Sequence, residues 1–359
     1  MSQNSYLVVG GGNVGLATAA HLSSQGNKVN LFSRRYSLIH QTKIVRSTGV
    51  CSPGNYPIVV AYNQIEEIAA ANDGKLPNNI VIGCRGQDIE SYARILGEYM
   101  TPQNNILIIC ASRFAGRVFC KILRKELGFN DTQLPAVADV NNSPFVSRGN
   151  ANDSVAISRY KKQFKVAAQN SEMTDRIVAT YQESFSGLHP AFSNLEVNLD
   201  KWNDILHIPL ILTSLGSWEL GENYNFYRGM GPRTANLIGE LDRDRLAVAK
   251  ALGLPNLDTM CDNFKISYGT PGPSFYEHIY QNEAYGNATT NTPRHRYLSE
   301  DLPFGAFPLQ VLARLAGVET PFLDSCIILG SKVLDEALSW TAEFLELDTR
   351  WLNKQLRYH

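Results

Sequence analysis

Residues 6–35 read YLVVGGGNVGLATAAHLSSQGNKVNLFSRR, and this stretch decides the fold. Tyr6 to Val9 is a short apolar run of strand type. Gly10, Gly12 and Gly15 then fit G-x-G-x-x-G, and Leu16 to Leu22 continue as an Ala-rich helix. Gly26 and Asn27 end that helix, and KVNLF starts a second strand. The strand–turn–helix–strand context gives a weak motif its specificity for a dinucleotide. Gly10 permits the tight turn, Gly12 lets a pyrophosphate approach the backbone, and Gly15 lets helix pack on strand. Asn13 and Val14 open the helix, whose free N–H groups and partial positive charge suit phosphates. A glycine turn without a ligand is the competing reading, and the context weighs against it.

Many NAD-binding chains carry an acid at the end of the second strand, where it bonds the ribose hydroxyls. Here the chain reads Phe32, Ser33, Arg34, Arg35. With no carboxylate in that stretch and two guanidiniums available for a 2′-phosphate, NADP (as NADPH) is expected over NAD. Two solvated arginines on a loop are the bland alternative.

Working outward, apolar runs alternate with helical patterns. PIVVAY, NNIVIGC, NNILIICAS and LPAVADV read as strands; Gln64 to Ala71, RGQDIESYARILGEYM and Phe114 to Leu127 read as helices. This order predicts an α/β fold with a doubly wound parallel sheet of Rossmann type, over residues 1–180. Cys84 and the residues after it, and Ala111 with Ser112, fall at the carboxyl ends of strands, where such sheets bind ligands. Cys84 is therefore a candidate cofactor contact.

Composition narrows the class. Of 359 residues, 44% are hydrophobic and 19% charged, with a net charge of −1. The length leaves room for two domains, and the balance argues against disorder and against general attraction to nucleic acid or anionic membrane. No apolar run is long enough for a membrane span, and the N-terminus does not read as a secretory signal. Six scattered cysteines without a CxxC pair fit a reducing cytoplasm. No His/Cys cluster has metal-ligand spacing, so no catalytic metal is expected.

From about residue 180 helical signals take over, giving an all-helical second domain at 181–359. In ANLIGELDRDRLAVAKALGLP, Leu237, Leu241, Leu246, Val248 and Leu252 fall near one face, with Asp242 to Arg245 expected outside. A Rossmann domain followed by a helical one is a dehydrogenase architecture, which by itself says only oxidoreductase.

Several segments sharpen that. DILHIPLIL, GLPNLDTMCDNFKISYG, PSFYEHI and TPRHRYLSEDLPFG, after NNSPF at 141–145, occur in an order that resembles the opine dehydrogenases, the octopine and nopaline synthases and their bacterial relatives. The resemblance covers nearly the whole chain, and RYLSED is its most specific part. It implies reductive condensation of an amine with a 2-oxo acid through an imine, which NAD(P)H reduces. It also implies that His207 is the general acid/base, although the chain reads His207-Ile208-Pro209 where the family has His-Pro. Asp301 is the implied carboxylate partner and Arg296 the implied carboxylate-binding group.

The chemistry asks for these residue types on its own account. Imidazole moves protons near neutral pH, a carboxylate on its other nitrogen fixes the tautomer, and guanidinium grips a carboxylate in bidentate fashion. His189, in a literal His-Pro pair, ranks second for the catalytic role. His21, His278, His295 and Glu300 read as structural or exposed. The expected partners are a small-molecule amine and a 2-oxo acid, and a homodimer is a compatible assembly. Two rivals remain: a reductase of one 2-oxo acid or other carbonyl, similar to ketopantoate reductases and glycerol-phosphate dehydrogenases, and a non-catalytic dinucleotide sensor.

Overall fold

The structure, a computed structural model, describes residues 4–35, 37–151, 154–222, 224–270, 272–285, 289–290, 296–335 and 340–356. Two compact units emerge. One comprises Met1–Cys110 and Phe114–Asn194; the other comprises Ala111–Arg113 and Leu195–His359.

The first unit holds twelve strands among its described residues. They are β1 (Ser5–Val9), β2 (Lys28–Phe32), β3 (Ile44–Gly49), β4 (Gly54–Pro57), β5 (Val60–Tyr62) and β6 (Asn79–Ile82), then β7 (Asn105–Ile108), β8 (Ala136–Val140), β9 (Phe145–Ala151), β10 (Ser154–Tyr160), β11 (Phe164–Ala167) and β12 (Leu188–Pro190). Eight form one sheet in the order β12-β11-β8-β7-β6-β1-β2-β5, parallel except where β11 meets β8. The chain builds outward from β1 through β2 to β5, then returns to build β6, β7 and β8 on the other side. The reversal lies between β1 and β6, the switch point where open α/β sheets take ligands. The predicted doubly wound sheet is therefore present.

A second sheet, β4-β3-β10-β9, departs from the expectation. Its apolar residues Val45, Val155 and Ile157 join Leu16, Ala17 and Ala20 of the first helix, Asn13–Ser24, in one core. That helix is buried from Gly15 to Ala20 and again at Leu22 and Ser23. A helix apolar all round needs cover on two sides, and the small sheet supplies the second. The division between the units falls after Asn194 rather than at 180, because helix Ser171–Tyr181 and strand β12 complete the large sheet's edge.

The second unit is helical, with Asn203–Leu212, Pro232–Ala251, Met260–Tyr268, Phe307–Ala316 and Pro321–Leu334 as its main helices. Starts are capped by side chains where the sequence allows. Thr259 accepts from Asp262 N, and Ser274 with Glu277 forms a capping box.

One expectation for this unit is overturned. Asp242 and Arg245 do not lie on the solvent face of their helix; both are buried. Arg245 donates to Asp242 Oδ1 at 2.7 Å and to the carbonyls of Leu199 and Asp258, while Asp242 Oδ2 accepts from Met260 N at 2.8 Å. A charge is tolerated inside when its partners are inside with it, and periodicity cannot see that pairing.

Candidate active site

The turn after β1 is shaped by what its glycines exclude. Gly10 has φ +109°, and a Cβ there would lie 2.3 Å from the Gly83 carbonyl oxygen. A Cβ on Gly15 would lie 1.8 Å from the Gly10 carbonyl oxygen. Gly12 differs: a Cβ would meet nothing within 4 Å. It stands as the N-cap of a 12-residue helix that has neither a side-chain cap nor an acid in its first turn. Open space over a bare helix N-terminus fits a dinucleotide pyrophosphate. Asn13 is held to the small sheet, its Oδ1 accepting from Gly149 N at 2.9 Å and its carbonyl from Ser147 Oγ at 3.3 Å. Val14 lies against Gly83, and Cys84 follows, half-buried, at the end of β6.

At the end of β2, Ser33 is buried and Arg34 and Arg35 are exposed. Arg34 is not idle. It donates to Asp88 Oδ1 at 2.5 Å and to Ser91 Oγ at 2.9 Å, and its guanidinium lies 4.5 Å from the Tyr92 ring centroid. Asp88 also meets Arg85 at 3.5 Å. The stretch 32–35 has no acid, yet folding brings one to it from the connection after β6.

In the second unit, His207 sits on helix Asn203–Leu212 with both ring nitrogens engaged. Nδ1 is 2.6 Å from Asp301 Oδ2, and Nε2 is 3.0 Å from the Tyr227 hydroxyl. Tyr297 stacks on the imidazole at 3.8 Å between centroids, and Phe226 presents an edge at 5.8 Å. His207 and Asp301 are each 5% exposed. With Asp301 ionised, Nδ1 must carry the proton, which fixes the tautomer.

Two local devices place this pair. The chain enters helix Phe307–Ala316 through a π-helical turn, Leu302–Ala306, immediately after Asp301. Such a wide turn frees backbone carbonyls from their helical partners. Arg113 takes up two of them: its N–H donates to Phe304 O at 2.8 Å and its Nε to Gly305 O at 3.1 Å. The same guanidinium grips Asp204, one turn before His207, with three contacts of 2.8–3.1 Å, and donates to the carbonyls of Asn198 and Lys201. Gly305 is required here, since its Cβ would fall 2.8 Å from Asp204 Cβ. Arg113 thereby ties the helix bearing His207 to the turn bearing Asp301.

Burial works against charge on both members of the pair. It pushes His207 well below the ordinary imidazole range; the Arg296 charge adds to this and Asp204 opposes it. It pushes Asp301 well above the carboxylate range, with Arg296 and Arg113 opposing and Asp204 reinforcing. Burial therefore disfavours the charge-separated imidazolium–carboxylate form of the pair. Arg296 itself is exposed. Desolvation weighs against its charge, but Glu300, Tyr297 and Asp301 outweigh it and raise its pKa. It is a fixed cation beside a proton-holding pair, open to an anionic ligand.

Residues 190–334 match the family described as NAD/NADP octopine/nopaline dehydrogenase, alpha-helical domain. The opine dehydrogenase of Arthrobacter sp. (strain 1C) is 24% identical over 360 residues, 93% of this chain and 92% of that one. The chain carries the helical domain of the octopine/nopaline dehydrogenase family. It is an NAD(P)-dependent oxidoreductase. Its fold is that of octopine dehydrogenase solved with NADH and L-arginine, at TM-score 0.77 and 16% identity over 98% of this chain and 97% of that one. A yersinopine dehydrogenase with NADP+ bound superposes at TM-score 0.64 and 14% identity, covering 100% and 99%.

In the second unit, folding brings His207 and Asp301, expected as partners, into contact, and sets Arg296 near enough to act on both electrostatically. His189 is exposed on β12 in the first unit. His21 packs among Phe145, Tyr160 and Phe185 and bonds the Ser184 carbonyl, and His278 is buried against Thr270. Glu300 is buried, and Arg294 and His295 lie outside the described residues. Sequence reasoning missed Tyr227, Tyr297, Arg113 and Asp204. The aromatic pair Phe226-Tyr227 gave no periodic signal, though a turn held by Asn225 and Gly229 carries it. Among the described residues no group of three or more His, Cys, Asp or Glu could hold a metal ion.

Proposed function

We propose that the chain catalyses the NADPH-dependent reductive condensation of an amino acid or related amine with a 2-oxo acid, giving a secondary-amine dicarboxylate. The observation that carries this reading is the buried 2.6 Å His207–Asp301 pair with the exposed Arg296 beside it. A reaction that builds an imine must take a proton from an ammonium and return one to a departing hydroxyl. A single imidazole held in one tautomer can do both. Arg296 offers the planar fork that suits a substrate carboxylate, and its charge is close enough to influence the imidazole as that carboxylate arrives. The bound dinucleotide supplies the hydride that reduces the imine carbon. Gly10, Gly12, Asn13, Val14, Gly15 and Cys84 form the turn and strand end that would hold it.

The preference for NADPH rests on Ser33, Arg34 and Arg35 in divided roles. Arg34 is braced by Asp88, Ser91 and Tyr92, so its edges are in use while its plane can support an adenine. Arg35, exposed, is the guanidinium left for the 2′-phosphate, and the buried Ser33 hydroxyl shapes the turn that presents it by donating to the Arg35 carbonyl at 3.2 Å. Six free cysteines are in keeping with a cytoplasmic setting. No helix among the described residues is long and apolar enough to cross a membrane.

The test is a paired screen. NADPH oxidation is followed with pyruvate, 2-oxoglutarate or glyoxylate, each alone and each with a panel of amino acids. Turnover should need both substrates, and the product mass should equal their sum less water plus two hydrogens. Full-speed turnover of an oxo acid without an amine would make the chain a carbonyl reductase. Tight dinucleotide binding with no turnover of any pair would make it a sensor.

A further inference from the structure

We propose that Tyr227 is a further catalytic residue, the outer member of an Asp301–His207–Tyr227 chain that exchanges protons with the reacting groups in place of the imidazole itself. This rests on the condensation reading above. Nδ1 of His207 is committed to Asp301, so any proton the ring gives or takes must pass through Nε2. That nitrogen faces the Tyr227 hydroxyl at 3.0 Å. Tyr297 covers one face of the ring, Phe226 meets it edge-on, and the residue is 5% exposed. The hydroxyl of Tyr227, itself only 5% exposed, is the polar group that Nε2 meets.

Tyr227 is braced for this task. Its ring packs on Phe226 at 4.9 Å and on Tyr285 at 4.2 Å, and the Tyr285 hydroxyl meets that of Tyr268 at 2.9 Å. The turn that carries it is pinned by Asn225, whose Oδ1 accepts from Arg228 N at 2.8 Å. The charged and titratable groups around the chain are Asp204 on the His207 helix with its partner Arg113, Arg296, Tyr297 and Glu300 on the segment before Asp301, and the phenols of Tyr268 and Tyr285.

A phenol passes a proton without keeping it. As the amine is activated, the ammonium N–H breaks, its proton bonds to the Tyr227 oxygen, and the phenol's own proton moves to Nε2. The free amine adds to the oxo-acid carbonyl to give a carbinolamine. The flow then reverses: Nε2 returns its proton to the phenol oxygen, and the phenol gives one to the carbinolamine hydroxyl. That hydroxyl leaves as water while the nitrogen lone pair forms the C=N bond. One proton is taken and one returned, and the iminium accepts a hydride to become the neutral secondary amine.

Tyr227→Phe keeps the ring and removes only the oxygen. With the best substrate pair, kcat should fall roughly 10²-fold, in the range of a positioned acid/base. The limb of the kcat/KM–pH profile governed by His207 should move, while thermal midpoint and NADPH affinity stay put. Unchanged kcat with an unchanged pH limb would overturn the proposal. Should the variant not fold, a proton inventory on the wild type in H2O/D2O mixtures decides. Two protons in flight predict a bowed plot; a straight or flat one overturns the relay. Failure of the wild type with every pair would remove the condensation reading and this role together. An active wild type with an unaffected Phe variant would remove the relay alone.

Discussion

The glycine turn in the first unit and the His207 region in the second are built by opposite means. The turn works by omission: two glycines admit backbone to within a Cβ's width, and a third leaves space open. The His207 region works by enclosure, with Arg113, Asp204, His207 and Asp301 all buried, Arg113 bonded to Asp204 and His207 to Asp301. A site made of missing side chains is local, and four consecutive features of sequence specify it. A site made of buried charges depends on partners contributed by residues 111–113, 198–207, 226–227 and 296–306. The two should also fail differently when altered.

The largest effect is expected where a buried charge loses its partner. Arg113→Met leaves Asp204 buried and unpaired, which should cost about 3–5 kcal/mol of stability. Chemical denaturation measures it. The double change Arg113→Met with Asp204→Leu should recover much of the loss, because an apolar pair of similar volume is often neutral. No recovery would mean that the carbonyl contacts of Arg113, rather than its ion pair, hold the π-helical turn.

The glycines should separate next. Gly15→Ala drives a Cβ against the Gly10 carbonyl and should destabilise the fold by roughly 1–3 kcal/mol. Gly12→Ala should change stability by no more than about 1 kcal/mol, the scale of an N-cap substitution. It should nonetheless weaken dinucleotide binding sharply, since its methyl enters the open space. Thermal melts paired with cofactor titrations read both, and a Gly12→Ala protein that binds cofactor normally would break the contrast.

The smallest effect concerns cofactor choice. Arg35→Ala should weaken NADPH by roughly tenfold to a hundredfold, the worth of one charge-assisted contact, and leave NADH nearly unchanged. Arg34→Ala should weaken both alike if Arg34 supports the adenine. Titrations of both dinucleotides into both variants distinguish the roles.

How far each region could be read from sequence follows from the same contrast. The βαβ turn, the parallel sheet and the presence of helices Ile65–Ala70, Ile89–Gly97 and Ala115–Lys125 were legible because each depends on near neighbours. The small second sheet was not expected, although a sign of it was present. LATAAHL has no polar face, and a helix with none needs cover on both sides. Asp242 and Arg245 were misplaced because helical periodicity ranks a residue by its own polarity and ignores a partner 3 residues away that neutralises it. His207, Asp301 and Arg296 came from the family resemblance. Tyr227 and Arg113 could not come from periodicity, since their significance lies in distances across the fold of 3.0 Å and 2.8 Å to residues remote in sequence.

His207, held by Asp301, is expected to move the protons of the condensation while the dinucleotide binds through separate residues. One experiment measures it directly: single-turnover oxidation of NADPH by His207→Asn with the best substrate pair, alongside the variant's affinity for NADPH. The account predicts a rate lower by about 10²–10⁴ with unaltered affinity. A variant that turns over at nearly the wild-type rate, or loses rate only in proportion to lost cofactor affinity, would contradict it.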